Sequence, residues 1–215
     1  MFQRVFGGNR WFLSFVLVLL AGCAVPADFR YPVVEGGQSV DLTGKAVVVL
    51  ASDIRERTSL RPDLKHFGQV YFVRIDDSYL ARGESSYDFG IEYSLASDWA
   101  ALASEDENRL AKVFVIDPGT YVLEKVSIGS SPTTIGRGFN PQTGLVRYGG
   151  FQVQAGEVVD LGRLLVHMHF YSGYFSARVE ENTTDAQRAL GQVFPDLVTS
   201  MVSRPLEVAA TMPFH

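Results

Sequence analysis

Asp117-Pro-Gly-Thr120 separates two short apolar runs and breaks any helix that would run through both. Proline presets φ near −65° and glycine accepts a positive φ, so the four residues read as a tight turn. The runs on either side, 112–116 and 121–128, are rich in Val, Ile, Phe and Tyr, the residues that suit a pleated surface. The turn is expected to join them as a hairpin. Gln154-Ala-Gly-Glu157 is expected to do the same for the pair that follows.

Further strand-like segments lie at 46–51, 70–75, 87–94, 145–154 and 158–171. In 112–116, Val113 and Val115 point one way and Phe114 and Ile116 the other, so both faces of that strand are expected to be buried. The alternation in 158–171 breaks around Gly162. Strands of this length and spacing argue for an antiparallel sandwich, or for a small β-barrel as the alternative, rather than βαβ units.

Two segments read as helical. Ser97 or Asp98 is positioned to cap a short helix over 99–103. Near the C-terminus, Ala186, Leu190, Val193, Phe194, Leu197, Val198, Met201 and Val202 recur at three- and four-residue spacing, with Thr184 or Asp185 as the cap. Pro195 interrupts the stripe, so a kink or a second helix is expected there, and Pro205 ends it. An amphipathic stripe of this kind docks on a sheet.

The N-terminus carries an address. Arg4 and Arg10 precede an apolar run from Trp11 to Leu20, too short to cross a bilayer, and small residues follow. Leu20, Ala21, Gly22 and Cys23 resemble the lipobox of bacterial lipoproteins at all four positions. The resemblance implies signal-peptidase recognition at Leu20, Ala21 and Gly22, with lipidation (diacylglyceryl and palmitate) of Cys23. Ala24, rather than Asp, follows the cysteine, which implies the outer membrane, facing the periplasm. An ordinary signal peptide with an incidental cysteine is the alternative.

The expected organisation is therefore a signal at 1–22, a lipidated cysteine and flexible tether at 23–39, a β-sandwich domain at 40–180, and a C-terminal helical segment at 181–215 packed on it. Loss of residues 1–22 removes two arginines and no acid, which moves the formal net charge from −5 to −7. An acidic domain is a poor nucleic-acid binder, and its net charge does not draw it to anionic headgroups. Cys23 is the single cysteine, so the mature domain has no disulfide and no thiol chemistry once it is lipidated.

Val115-Ile-Asp-Pro-Gly-Thr-Tyr-Val-Leu123, followed by Gly150-Phe-Gln-Val-Gln-Ala-Gly-Glu-Val-Val-Asp-Leu-Gly162, resembles the pattern of prealbumin-like sandwich modules. Carboxypeptidase-regulatory-like domains and several bacterial lipoprotein families share it. The likeness covers about 110–166. It implies a prealbumin-like β-sandwich with Tyr121 packed under the turn, and it carries over no catalytic residue and no cofactor.

Few residues offer chemistry. His167 and His169 stand two apart in a strand and so face the same way; a shared metal needs a third ligand from His66, His215 or an acid. Asp76-Asp77 and Glu105-Asp-Glu107 lack the spacing of a calcium loop and read as solvated turns. Gly136-Arg-Gly138 lacks a phosphate-cradle ending. The Gly-rich stretch 129–144 instead reads as a recognition loop, with Arg137, Phe139 and Asn140 as its contact residues, or as a plain connector. No Gly-x-Ser-x-Gly, Ser-x-x-Lys or His-Glu-x-x-His occurs. The expectation is a membrane-anchored lipoprotein of non-enzymatic binding or envelope-integrity role, with a possible envelope protein partner. A periplasmic hydrolase or His-based metal enzyme is the alternative.

Overall fold

The computed structural model describes residues 29–56, 64–65, 68–81, 86–93, 111–128, 135 and 137–213. In chain order the strands are β1 (Ala46–Glu56), β2 (Leu64–Lys65), β3 (Gly68–Arg74), β4 (Phe89–Tyr93), β5 (Ala111–Ile116), β6 (Gly119–Ile128), β7 (Phe139–Asn140), β8 (Leu145–Val146), β9 (Gly149–Val153), β10 (Val158–His169), β11 (Tyr174–Glu180), β12 (Val202–Ser203), β13 (Glu207–Val208) and β14 (Thr211–Pro213). The α-helix among the described residues, α1 (Thr183–Val193), is followed by a 3-10 helix at Pro195–Ser200. The segment expected as a helix over 99–103 lies outside the described residues.

The protein is mainly β, in two large sheets. One sheet runs β14-β11-β10-β1-β2, with β5 also on β1 and β12 also on β10. The other runs β13-β9-β6-β3-β4 and is antiparallel throughout. The expectation of an antiparallel architecture needs correction in the first sheet. Its two long central strands, β1 and β10, are parallel, and so are β10 and β12. Apolar alternation sets which face a strand buries but not which way it runs, so the direction was hidden. Among the described residues no strand of one sheet pairs with a strand of the other, so the barrel alternative also falls.

Both predicted hairpins are corners. β5 pairs with β1 in the mixed sheet, whereas β6 pairs with β3 and β9 in the antiparallel sheet, so Asp117-Pro-Gly carries the chain from one sheet to the other. Gln154–Glu157 does likewise between β9 and β10. Tight-turn chemistry serves a corner as well as a hairpin, because both need only a sharp reversal over a few residues.

The two sheets share one core, with Ala46, Val48, Leu50, Phe114, Leu161, Leu164 and Phe175 from the mixed sheet against Val70, Phe72, Phe89, Tyr121, Leu123 and Phe151 from the other. Five aromatic rings interlock there: Phe72 stacks on Phe89 at 5.0 Å and Tyr121 on Phe151 at 5.4 Å, while Phe114 lies 4.9 Å from Phe89. The break in alternation at Gly162 is a bulge. Gly162 has φ +79°, and the register with β1 shifts across it. Val159 and Leu161 face the core before it, Leu164 and Val166 after it. The extra residue restores the inward face for the rest of the strand.

The opposite face of β1 and β5 is also apolar. Val47, Val49, Val113 and Val115 meet Ala186 and Leu190 of α1, which confirms the two-faced burial of β5 and the docked helix. The helix begins at Thr183, one residue before the expected cap. Asn182 occupies the cap position, but its side chain accepts from Arg163 Nη2 at 3.0 Å rather than capping. Asp185, in the first turn, takes the same guanidinium at 2.9 Å and complements the helix dipole. Pro195 ends α1 and opens the 3-10 helix.

Two more expectations change. Residues 29–34, read as part of a flexible tether, are docked: Tyr31 and Val34 are buried, the Tyr31 N–H donates to the Asp88 carbonyl at 2.8 Å, and the Val34 N–H to Val113 at 2.9 Å. Apolar side chains at 29, 31, 33 and 34 outweigh the proline and glycines nearby. The C-terminal segment, expected to be helical, continues after Ser200 into strands that extend both sheets, β12 and β14 in one and β13 in the other. No helix among the described residues is long and apolar enough to cross a membrane.

Candidate functional site

Of the predicted recognition stretch 129–144, residues 129–134 and 136 lie outside the described residues; residues 137–147 form a small hairpin, β7–β8, whose Phe139 packs on Val73 and Val122 on the outer face of the antiparallel sheet. Its footing is a bulge in β6. Leu123 pairs with Phe72 and Lys125 with Tyr71, which leaves Glu124 as the extra residue. Bulges re-aim side chains. Here the Glu124 carboxylate accepts the Tyr79 hydroxyl at 2.8 Å and the Gly138 N–H at 2.9 Å. Gly138 sits so close to β6 that a Cβ would lie 2.0 Å from the Leu123 carbonyl oxygen. Burial, then the bond to Glu124, pushes the Tyr79 hydroxyl pKa well up, so it stays a donor.

Phe139 points inward. Its ring meets Tyr79 edge-on at 5.3 Å, over Val73 and Val122. Phe139, read as a contact residue of the recognition loop, therefore holds the hairpin to its own domain. Asn140 organises the turn, its Oδ1 accepting the Gln142 N–H at 3.0 Å. Of the three predicted residues, Arg137 alone is exposed. Sequence reasoning passed over two exposed apolar side chains on the hairpin: Leu145 and Val146, 59% and 39% exposed, with Arg147 exposed beside them. Their signal was an apolar pair directly after Gly144, whose φ is +68°; the strand reading of 145–154 absorbed it.

The chain enters this same face. Phe29 packs edge-on against Tyr71 at 5.2 Å, and Tyr71 lies 4.3 Å from Tyr87. Lys125 covers both tyrosines, 5.1 and 5.8 Å from their centroids, and burial pulls its pKa down. Cys23, Leu20, Ala21 and Gly22 lie outside the described residues.

His167 and His169 do share an outward face of β10, with Met168 turned to the core. His169 Nε2 lies 2.8 Å from Ser176 Oγ, and its ring stacks on Tyr174 at 4.5 Å. These contacts tie β10 to β11. Among the described residues no group of three or more His, Cys, Asp or Glu side chains is placed to hold a metal ion. The other two histidines, His66 and His215, lie outside those residues. Asp76 accepts from the Ser78 N–H and hydroxyl in an exposed turn, as expected.

Charge gathers at the Asp117 corner. Lys45, Arg30 and Arg74 all reach its carboxylate, the arginines at 3.1 and 3.4 Å. The Lys45 bond, then Tyr31, holds Asp117 below the usual carboxylate range, and burial pushes the Tyr31 hydroxyl up to about 12. This cluster clamps the incoming segment to the corner. A groove of about 470 Å³ runs beside β9 and β13, where Arg204 forks between Glu157 (2.7 and 3.2 Å) and the Gln152 carbonyl (2.9 Å). That pairing fastens the C-terminal strands to the β9–β10 corner.

No family model, no curated protein and no solved structure matches this chain.

Proposed function

We propose that the chain is a lipid-anchored bacterial envelope lipoprotein whose domain, a prealbumin-like sandwich, is a non-enzymatic binding module held at the outer membrane and facing the periplasm. The observation that carries the reading is how little chain separates the lipobox from the folded domain. Residues 24–28 alone stand between Cys23 and Phe29, which is already packed on Tyr71. A lipid on Cys23 would hold the domain against the membrane rather than on a long leash. The prealbumin-like assignment draws support from the Pro-Gly-x-Tyr corner and from two sheets sharing an aromatic core; the parallel β1–β10 pair is its least expected feature. The binding role draws support from a rigidly footed hairpin that presents apolar side chains.

Metabolic labelling with an alkyne palmitate tests the anchor: the wild-type chain takes the label and Cys23→Ser does not. Crosslinking in living cells with the same pair tests the role. One envelope protein recovered near stoichiometry, and lost in Cys23→Ser, supports a module placed by its anchor. An unlabelled wild-type chain, or a purified chain that turns over an envelope substrate, overturns the reading.

A further inference from the structure

We infer that the β7–β8 hairpin is the part of the domain that lies against an anionic lipid bilayer, with Leu145 and Val146 entering the headgroup region and Arg137 and Arg147 pairing with acidic headgroups. This rests on the lipid-anchored reading and specifies which face the anchor turns to the membrane. Three independent observations meet at the hairpin.

The first is exposure. Single apolar residues on a surface are ordinary, but Leu145 and Val146 are adjacent on a projecting hairpin. Its base is fixed by Glu124, Tyr79 and Phe139, so the pair is held outward.

The second is charge. The chain carries a formal net charge of −5, yet from residue 125 to 156 there is no Asp or Glu, against Lys125, Arg137 and Arg147. Net charge disfavours an anionic surface; Glu124 lies under the hairpin, engaged by Tyr79 and Gly138, and Glu92 stands near Lys125, so the outward charges of the hairpin itself are Arg137 and Arg147. Each Lys or Arg brought near an anionic bilayer contributes about 1 kcal/mol, roughly a fivefold shift in the docked fraction.

The third is position. Tyr71 and Val73 stand two apart on β3 and share its outer face. Phe29 packs on Tyr71, and Phe139 packs in the cluster built on Val73. The point where the chain enters and the footing of the hairpin are thus neighbours on one face. At about 3.3–3.6 Å per residue, Cys23 lies within about 20 Å of Phe29. A lipid there brings this face, not the helix-covered face of the mixed sheet, towards the bilayer. A stable dimer needs an interface of about 1,200 Å² or more, which two apolar side chains do not supply, so the bilayer is the occupant rather than a second copy. Two side chains and two charges orient a domain that the acyl chains already hold.

The test uses full-length lipidated protein in vesicles. With Cys23 acylated, Leu145→Cys carries the single free thiol, and Gln187→Cys on exposed α1 places one on the opposite face. Each is labelled with a polarity-sensitive fluorophore and challenged with a quencher buried in the bilayer. In vesicles containing anionic lipid the Leu145 probe is expected to shift to the blue and to be quenched severalfold more than the Gln187 probe. Arg137→Glu with Arg147→Glu is expected to cut that difference by an order of magnitude or lose it. An acylated protein whose Leu145 probe is no more quenched than the Gln187 probe overturns the inference. So does equal shielding in the unacylated Cys23→Ser protein in buffer without lipid or detergent, which would indicate a second copy, or shielding only when envelope protein is added. Failure of the anchor looks different: Cys23 then takes a second fluorophore and the acyl mass is missing.

Discussion

The Tyr121 hydroxyl donates to the Asp117 carbonyl at 2.8 Å, four residues back, across the corner where the chain leaves the mixed sheet for the antiparallel one. The ring is fully buried and stacked on Phe151. Burial raises the hydroxyl pKa strongly, so the phenol remains protonated and the bond persists at any ordinary pH. One side chain thus joins the aromatic core to the backbone of the turn. Tyr121→Phe keeps the ring and leaves that carbonyl short of a donor, at an expected cost of about 1–2 kcal/mol in urea unfolding. A loss under about 0.3 kcal/mol would show that the corner is held by other contacts.

Asp117 should make the same corner acid-sensitive. Its folded pKa lies below its ordinary value of 3.8, chiefly through Lys45. A depressed pKa contributes stability that is complete above the unfolded value and fades as pH falls through the folded one. Asp117→Asn is therefore expected to cost about 2 kcal/mol at pH 7 and progressively less below pH 3.8. Urea midpoints measured at pH 7, 4 and 2.5 decide it. A cost that does not change with pH would mean that packing, not charge, is what Asp117 supplies.

Asp160 runs the other way. It is 1% exposed at the β10 bulge, and burial raises its pKa above 3.8 although the Gly162 N–H donates to it at 2.8 Å. A raised carboxyl pKa favours the protonated folded state. The penalty is complete above the folded pKa and gone once pH falls below the unfolded one. Asp160→Asn keeps an acceptor for Gly162 and removes the charge. The variant should be more stable than the wild type at pH 7, and the gap should close as pH drops towards 3.8. A variant less stable at both ends would assign Asp160 a structural role that needs its charge.

These two acids also illustrate what was legible in the sequence. Strands were visible wherever one face needed Val, Ile, Phe or Tyr, and the double burial of 113–116 followed from four apolar residues in a row. Pro195 announced the end of α1. Direction and partner were invisible, because a period of two is the same in a parallel strand, an antiparallel strand, a hairpin or a corner. β11 was missed although Phe175, Ala177 and Val179 alternate, since Ser176, Arg178 and Glu180 dilute the run. The strands after Ser200 are two or three residues long and exist through their neighbours. In the hairpin, an aromatic residue looked like the contact and an aliphatic pair like core. The bulge at Glu124 reversed both roles, and nothing local marks a bulge there.

Leu190 tests whether α1 is part of the fold or an appendage. It is fully buried among Val47, Val49, Val113 and Val115. Truncating a buried leucine costs about 2–5 kcal/mol. Leu190→Ala should reach that range and unfold the domain in a single transition. A separate early transition would mean that the helix melts on its own while the two sheets stand.

Gly138 separates the hairpin from the rest. A Cβ there would collide with the Leu123 carbonyl, and the Gly138 N–H would lose its place on Glu124. Gly138→Ala therefore has to lift the hairpin, because Leu123 is fully buried in the core and paired with Phe72 of β3. Little of the core is touched, so the expected cost is about 1–3 kcal/mol. Amide exchange should quicken only slightly at Gln142, whose N–H bonds Asn140 within the turn, and strongly at Arg147, whose N–H bonds the Gly138 carbonyl. Gly144→Ala is the comparison: φ +68° strains an alanine by about 1–2 kcal/mol, but the site is open and the footing intact. If both variants loosen Arg147 equally, the hairpin is held by its turn. If Gly138→Ala alone does so, it is held by Glu124, and the orientation of Leu145 and Val146 follows from a bulge in the sheet beneath them.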